Sequence, residues 1–239
     1  MRTKTLILLF ALVIATVTAP ADEKNKFIVR VNGEPIGTEE YSITTDQKGY
    51  KVKSVSSAKE PGRIKRTDQE QLLESDFTLK RYSLMSAEIE GIRAVEANRE
   101  KDKIRVRLRS PQREPQTFSV PLAARIIVLD NMVVSHYQVL LDSFQGQPPA
   151  PNHGFLVPQS LTLEPGGVTQ MPREQQGTIN GKEISLRKFS INAGGLIIEC
   201  WAEAANNRLM RVWVPTQKVE FIREGFALAG ATQAATASH

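Results

Sequence analysis

Few side chains in this sequence are suited to chemistry, and their spacing suits it poorly. The 239 residues include three histidines and one cysteine. His136 directly follows Ser135, with Asp130 a short way upstream. A serine, a histidine and an acid are the parts of a nucleophilic hydrolase. Residues one apart on a helix point in different directions, so Ser135 and His136 cannot form a nucleophile–base pair with each other. His153 lies in a proline-rich segment and His239 ends the chain. No HxxxH, HExxH or paired Cys/His spacing occurs, so a metal site has no support. GxSxG, the Walker loop and a GxGxxG after a strand are missing too, and no cofactor is expected. Glu88 and Glu90 share one strand face and read as solvated acids rather than an acid/base pair. The expectation is a protein that is not an enzyme.

The most legible charged feature is Lys103, Arg105, Arg107 and Arg109, alternating with Ile104, Val106 and Leu108. On a strand these four cations share one face at a spacing of about 6.8 Å. They would suit phosphates or carboxylates of a head group or other envelope polyanion. The plainer reading is a solvated face whose cations pair with Glu88, Glu90, Glu96 or Glu100 on neighbouring strands. Cys200 shares the phase of Leu196, Ile198 and Ala202, which predicts a small buried side chain rather than a reactive thiol.

Composition sets the frame. Hydrophobic residues make up 41% and charged ones 24%, an ordinary globular balance. One thiol cannot build a disulfide framework. Met1-Arg2-Thr3-Lys4, the apolar run Leu6 to Val17 and Ala19-Pro20-Ala21 form the three parts of a secretory signal peptide over residues 1–21. The apolar run falls short of the roughly 20 residues a membrane span takes, so no stable span is expected after cleavage. Cleavage after Ala21 removes two of 31 cations against 26 acids, leaving +3. That mild excess gives no reason to expect nucleic acid as a partner. The expected location is the periplasm or the exterior.

The elements that position these residues are mostly strands. A period of two runs through Phe27–Val31, Tyr41–Thr45, Lys103–Arg109, Leu209–Val214 and Val219–Arg223. Asn32-Gly33 and Asn180-Gly181 supply hairpin turns. About ten to twelve short strands are expected. From Asp130 to Phe144 the period changes: Val133, Tyr137, Leu140 and Phe144 mark an amphipathic helix, with Asp130 or Asn131 as its N-cap. The fold class is therefore mainly β: an antiparallel meander forming a curved sheet or partial barrel, with one covering α-helix at about 130–144. A single β-rich domain is expected over 22–226, then a flexible tail over 227–239. Prolines predict an irregular or edge-bound stretch after the helix to about residue 175. A phase slip at Arg187-Lys188 suggests a β-bulge. The segment from Val31 to Ile43 echoes Ile179 to Ile191, either as duplicated halves or as two hairpins with the same turn needs.

The opening Val31-Asn32-Gly33-Glu34-Pro35-Ile36-Gly37 hairpin, Leu129-Asp130-Asn131 leading into the helix, and the closing Leu209 to Pro215 strand resemble exported bacterial proteins similar to the lipoprotein-carrier (LolA-like) half-barrel. The resemblance covers about residues 27–226 at the level of pattern. It implies an apolar cavity and a carrier or sensor role in the envelope. Two expectations follow. The first is a lipid-like ligand held against Val133, Tyr137, Leu140 and Phe144, with Met85, Met132, Met171 and Met210 as further candidate liners. The alternative is an envelope structural or assembly protein that binds a partner or anionic surface through Lys103, Arg105, Arg107 and Arg109.

Overall fold

The computed structural model describes residues 25–60, 63–122, 126–130, 132–144, 147–149 and 152–229. The expected signal peptide and tail residues 230–239 lie outside them. Eight strands open the fold: β1 (Asn25–Val31), β2 (Glu34–Asp46), β3 (Gly49–Glu60), β4 (Arg63–Leu73), β5 (Leu79–Glu88), β6 (Gly91–Glu100), β7 (Lys103–Arg109) and β8 (Gln116–Pro121). The short β9 (Ile126–Val128) leads to the helix α1 (Ser135–Asp142). Then come β10 (His153–Val157), β11 (Thr162–Gln170), β12 (Gln175–Ile179), β13 (Lys182–Ala193), β14 (Leu196–Glu203), β15 (Leu209–Val214), β16 (Val219–Arg223) and β17 (Phe226–Leu228). Single 3-10 turns join β10 to β11 (Pro158–Ser160) and β15 to β16 (Pro215–Gln217).

The seventeen strands form one sheet that does not close into a barrel. The first eight are a meander of antiparallel neighbours. On its other edge β1 pairs with β16, so Phe27 lies opposite Arg223 and the two halves of the chain share a ladder. From β16 the ladder runs back through β15 and β14 to β13. There it divides: Lys182–Leu186 pair with β12, and Phe189–Ala193 with β11. β11 holds β10, which pairs with β9 in parallel.

Alternation decides what each strand buries. In β7, Ile104, Val106 and Leu108 face the core while the four cations face out. Two large clusters result. Val52, Tyr82, Val95 and Val106 belong to the half built from the early strands, and Phe27, Phe189, Ile191 and Phe221 to the other. Cys200 is fully buried in the second, as its phase predicts.

The seventeen strands outnumber the expected ten to twelve, in part because the proline-rich stretch still supplies β10 and β11. Pro165 sits in β11 opposite Gly154, one residue before the β11–β13 ladder begins at Gly166, so its missing N–H costs no ladder bond. The expected bulge at Arg187-Lys188 is not there: β13 pairs with β14 without a break. The phase slips because the strand changes which face it buries. Ile184 and Leu186 pack outward with Trp201, Met210 and Phe226, while Phe189 and Ile191 pack inward. Register shifts fall elsewhere, in the β1–β2 and β4–β5 ladders and in β15, where Met210 is the extra residue between the pairs Trp201–Arg211 and Ala202–Leu209. Ala227 and Leu228, expected to begin the tail, pair with β12 as part of β17.

The helix is shorter than 130–144. Ser135–Asp142 spans eight residues, about 12 Å at the usual rise. Met132 has a positive φ of 58°, outside helical geometry, so no helix runs through it. Asp130 is no cap, because its carboxylate is engaged elsewhere; Asn131 lies outside the described residues. Nor is the helix one-sided: Ser135 through Leu141 are all buried. Val134, Tyr137, Leu140, Leu141 and Phe144 pack into one cluster, Val133 and Val139 into the other.

Candidate functional site

A buried polar seam positions the helix. Glu39 of β2 is fully buried, and its carboxylate accepts the Val134 N–H at 2.8 Å and the Ser135 N–H at 3.1 Å. These are among the N–H groups that the first helical turn leaves without intrahelical partners. A carboxylate there also suits the positive end of the helix dipole. Burial nevertheless dominates and raises the Glu39 carboxyl to about 7, against the opposing pull of the two N–H bonds.

His136 is also fully buried. Its Nδ1 accepts the Asp130 backbone N–H at 3.0 Å, and its Nε2 lies 3.5 Å from the Gln69 amide. Burial holds the imidazole down to about 3, so it is neutral at physiological pH. Asp130 accepts the Tyr82 hydroxyl at 2.8 Å and the Gln159 N–H at 3.1 Å. The histidine thus binds the backbone of Asp130, not its carboxylate. The Ser–His–Asp inventory is assembled as a scaffold joining β2, β4, β5 and the helix start. Gln138 extends it: its Oε1 accepts the Tyr41 hydroxyl and the Leu209 N–H, tying the helix to β15.

Beside this seam lies a crevice of about 480 Å³, within the usual range of small-ligand sites, about 300–1,000 Å³. Its floor is Leu129, Asp130, Met132 and Tyr137. One wall is the β13–β14 hairpin, through Ala193, Gly194, Leu196 and Ile198. The other two walls are copies of one device. Val157-Pro158-Gln159-Ser160-Leu161 and Val214-Pro215-Thr216-Gln217-Lys218 each leave a strand, make a 3-10 turn and end in a left-handed residue, φ 55° at Leu161 and 51° at Lys218. Both place corresponding residues on the crevice: Val157 and Val214, Ser160 and Gln217, Thr162 and Val219, Glu164 and Phe221. The offset along the chain is constant. The repeated Val-Pro step is visible in the sequence, but it lies outside the echo of Val31–Ile43 with Ile179–Ile191, whose two Asn-Gly pairs both form turns with positive φ.

The expected ligand residues separate. Tyr137 lines the crevice, whereas Val133, Leu140 and Phe144 are packed at 3%, 0% and 4% exposure. Tyr137 is 6% exposed, and its hydroxyl has no hydrogen-bond partner among the described residues. Burial raises its pKa. Of the methionines, Met132 borders the crevice, Met210 is buried, and Met85 and Met171 face solvent.

The basic strand behaves as a solvated face. Lys103 and Arg105 pair with Glu100 at 3.9 and 3.2 Å, and Arg109 with Glu96 at 2.9 Å. Arg107 makes no ion pair among the described residues. Those residues also hold no cluster of three metal-ligating side chains, and no helix long and apolar enough to cross a membrane.

No family model, curated protein or solved structure matches the chain.

Proposed function

We propose that this is an exported, non-enzymatic binding protein for an apolar or amphiphilic ligand, and that the crevice beside the helix is its site. The observation that carries this reading is the unpartnered hydroxyl of Tyr137 on the floor of a crevice lined by both aliphatic and polar side chains. The hydroxyl opens on the crevice, where it is placed to bond the polar end of a ligand. Leu129, Leu196, Ile198 and Val214 give the apolar contact that provides most binding energy in such sites. The signal-peptide pattern of residues 1–21 supports export to the periplasm or beyond. The half-barrel resemblance points the same way at the level of architecture. Mass spectrometry of an organic extract of the natively purified protein tests the reading. A stoichiometric apolar molecule is expected, and an empty extract together with no displaceable dye binding would count against it.

A second reading has one observation of its own. Ile64, Met85 and Ile92 stand 70%, 56% and 66% exposed on the face that carries Arg107. Exposed aliphatic side chains beside a free cation favour a protein partner in the envelope. If so, reversing Arg105 and Arg107 abolishes capture of that partner while leaving the fold intact.

A further inference from the structure

The charges around the crevice specify what the polar end of its ligand must be. Two acids line it, Asp130 and Glu164, and no lysine, arginine or histidine does. The two acids are not equivalent. Asp130 already accepts hydrogen bonds from Tyr82 and from the Gln159 backbone. Glu164 is half-buried, and its side chain makes no ion pair or hydrogen bond among the described residues.

The backbone leaves room for the Glu164 carboxylate. It lies against Gly194, whose φ of +58° suits glycine, and a Cβ at that position would run into the carboxylate. Two aromatic rings, Tyr137 and Phe221, also face the same space. The face of an aromatic ring attracts cations and repels anions. The Tyr137 hydroxyl oxygen can accept a hydrogen bond from an ammonium N–H.

We infer that the crevice selects an amphiphile with a cationic, ammonium-type head, which pairs with Glu164 while its apolar body lies on Leu129, Leu196, Ile198 and Val214. The inference rests on the crevice being the ligand site. It runs against the anionic head group suggested by the basic strand, whose cations lie on the outer face of β7, away from this space. An anionic head here would meet two carboxylates and no compensating base. A cation beside a carboxylate at an apolar wall meets less screening than at an open surface, which strengthens the pair.

Calorimetric titration with octylamine, octanol and octanoate at pH 7 tests this, because the three share one tail and differ in head charge. Octylamine is expected to bind about tenfold more tightly than octanol, with octanoate weaker than both. Glu164→Gln should bring octylamine down to the octanol level and leave octanol unchanged. Glu164→Lys should move the preference to octanoate. If octanoate matches or exceeds octylamine in the wild type, or if neither variant alters the ranking, the cationic assignment is overturned although the site stands. If none of the three binds, the ligand-site reading falls and the assignment with it.

Discussion

The carboxylate of Glu39 accepts the backbone N–H of Val134 at 2.8 Å, so a strand near the start of the chain caps a helix 95 residues later. The helix has no side-chain cap of its own and no acid in its first turn. Its start is thus defined by tertiary structure, through a group that burial holds uncomfortably close to neutrality.

That group and its neighbour have opposing pH dependences. Glu39 is raised from 4.5 to about 7, so its contribution to stability is present below about 4.5 and lost as pH rises towards 7. Asp142, raised from 3.8 to about 6, acts in the same direction. His136 is lowered from 6.5 to about 3, so its contribution is present above 6.5 and lost as pH falls. Two contributions lost against one gained leave the wild type losing about 2 kcal/mol of stability between pH 4.5 and 6.5. Glu39→Gln should change little across that window, because His136 and Asp142 then nearly offset each other, and His136→Asn should lose about twice as much stability as the wild type. Urea midpoints measured across the window check this; parallel profiles for all three proteins would contradict it.

Leu140 belongs to the core rather than to the ligand. It is fully buried among residues of the larger cluster. Leu140→Ala should cost about 3 kcal/mol in chemical denaturation, by lost transfer energy plus an unfilled cavity. Its ligand affinity, measured where the variant is folded, should stay within about twofold of wild type.

Tyr137→Phe should behave in the opposite way. The hydroxyl has no partner to lose, so stability should stay within about 0.5 kcal/mol of wild type. Affinity for a hydrogen-bonding amphiphile should drop severalfold, the usual scale of one neutral hydrogen bond, about 0.5–1.5 kcal/mol. Equal affinity in the two proteins would remove Tyr137 from the site.

Truncating the basic strand should matter little to folding. Arg105 and its partner Glu100 are 52% and 37% exposed, and exposed pairs contribute about 0–1 kcal/mol. Arg105→Ala and Arg107→Ala should each leave the thermal midpoint nearly unchanged. A large drop would show that these side chains do more than face solvent.

Period-two alternation carries the mainly β fold, the outward face of β7 and the burial of Cys200, because each depends on local patterning alone. The helix is legible as a change of period, but its ends are not. Asp130 looks like a cap until Tyr82 and Gln159 claim it, and Glu39 shows no trace in the sequence of its distant partner. Tyr137 is separable from Val133, Leu140 and Phe144 only once β13 to β16 are in place, since a helical stripe marks apolar residues without saying which adjoin space. The paired Val-Pro turns were visible as letters. Their meaning came from strands that bring both copies to one crevice.

The most direct test of the account is to fill the crevice. Leu196 lies at its wall and is only partly buried, so Leu196→Trp adds bulk there with little disturbance to the core. Titration with Nile red, an uncharged apolar dye, should give saturable one-site binding to the wild type and at least tenfold weaker binding to an equally stable Leu196→Trp. Unchanged dye affinity in that variant would mean that the crevice is not where this protein binds.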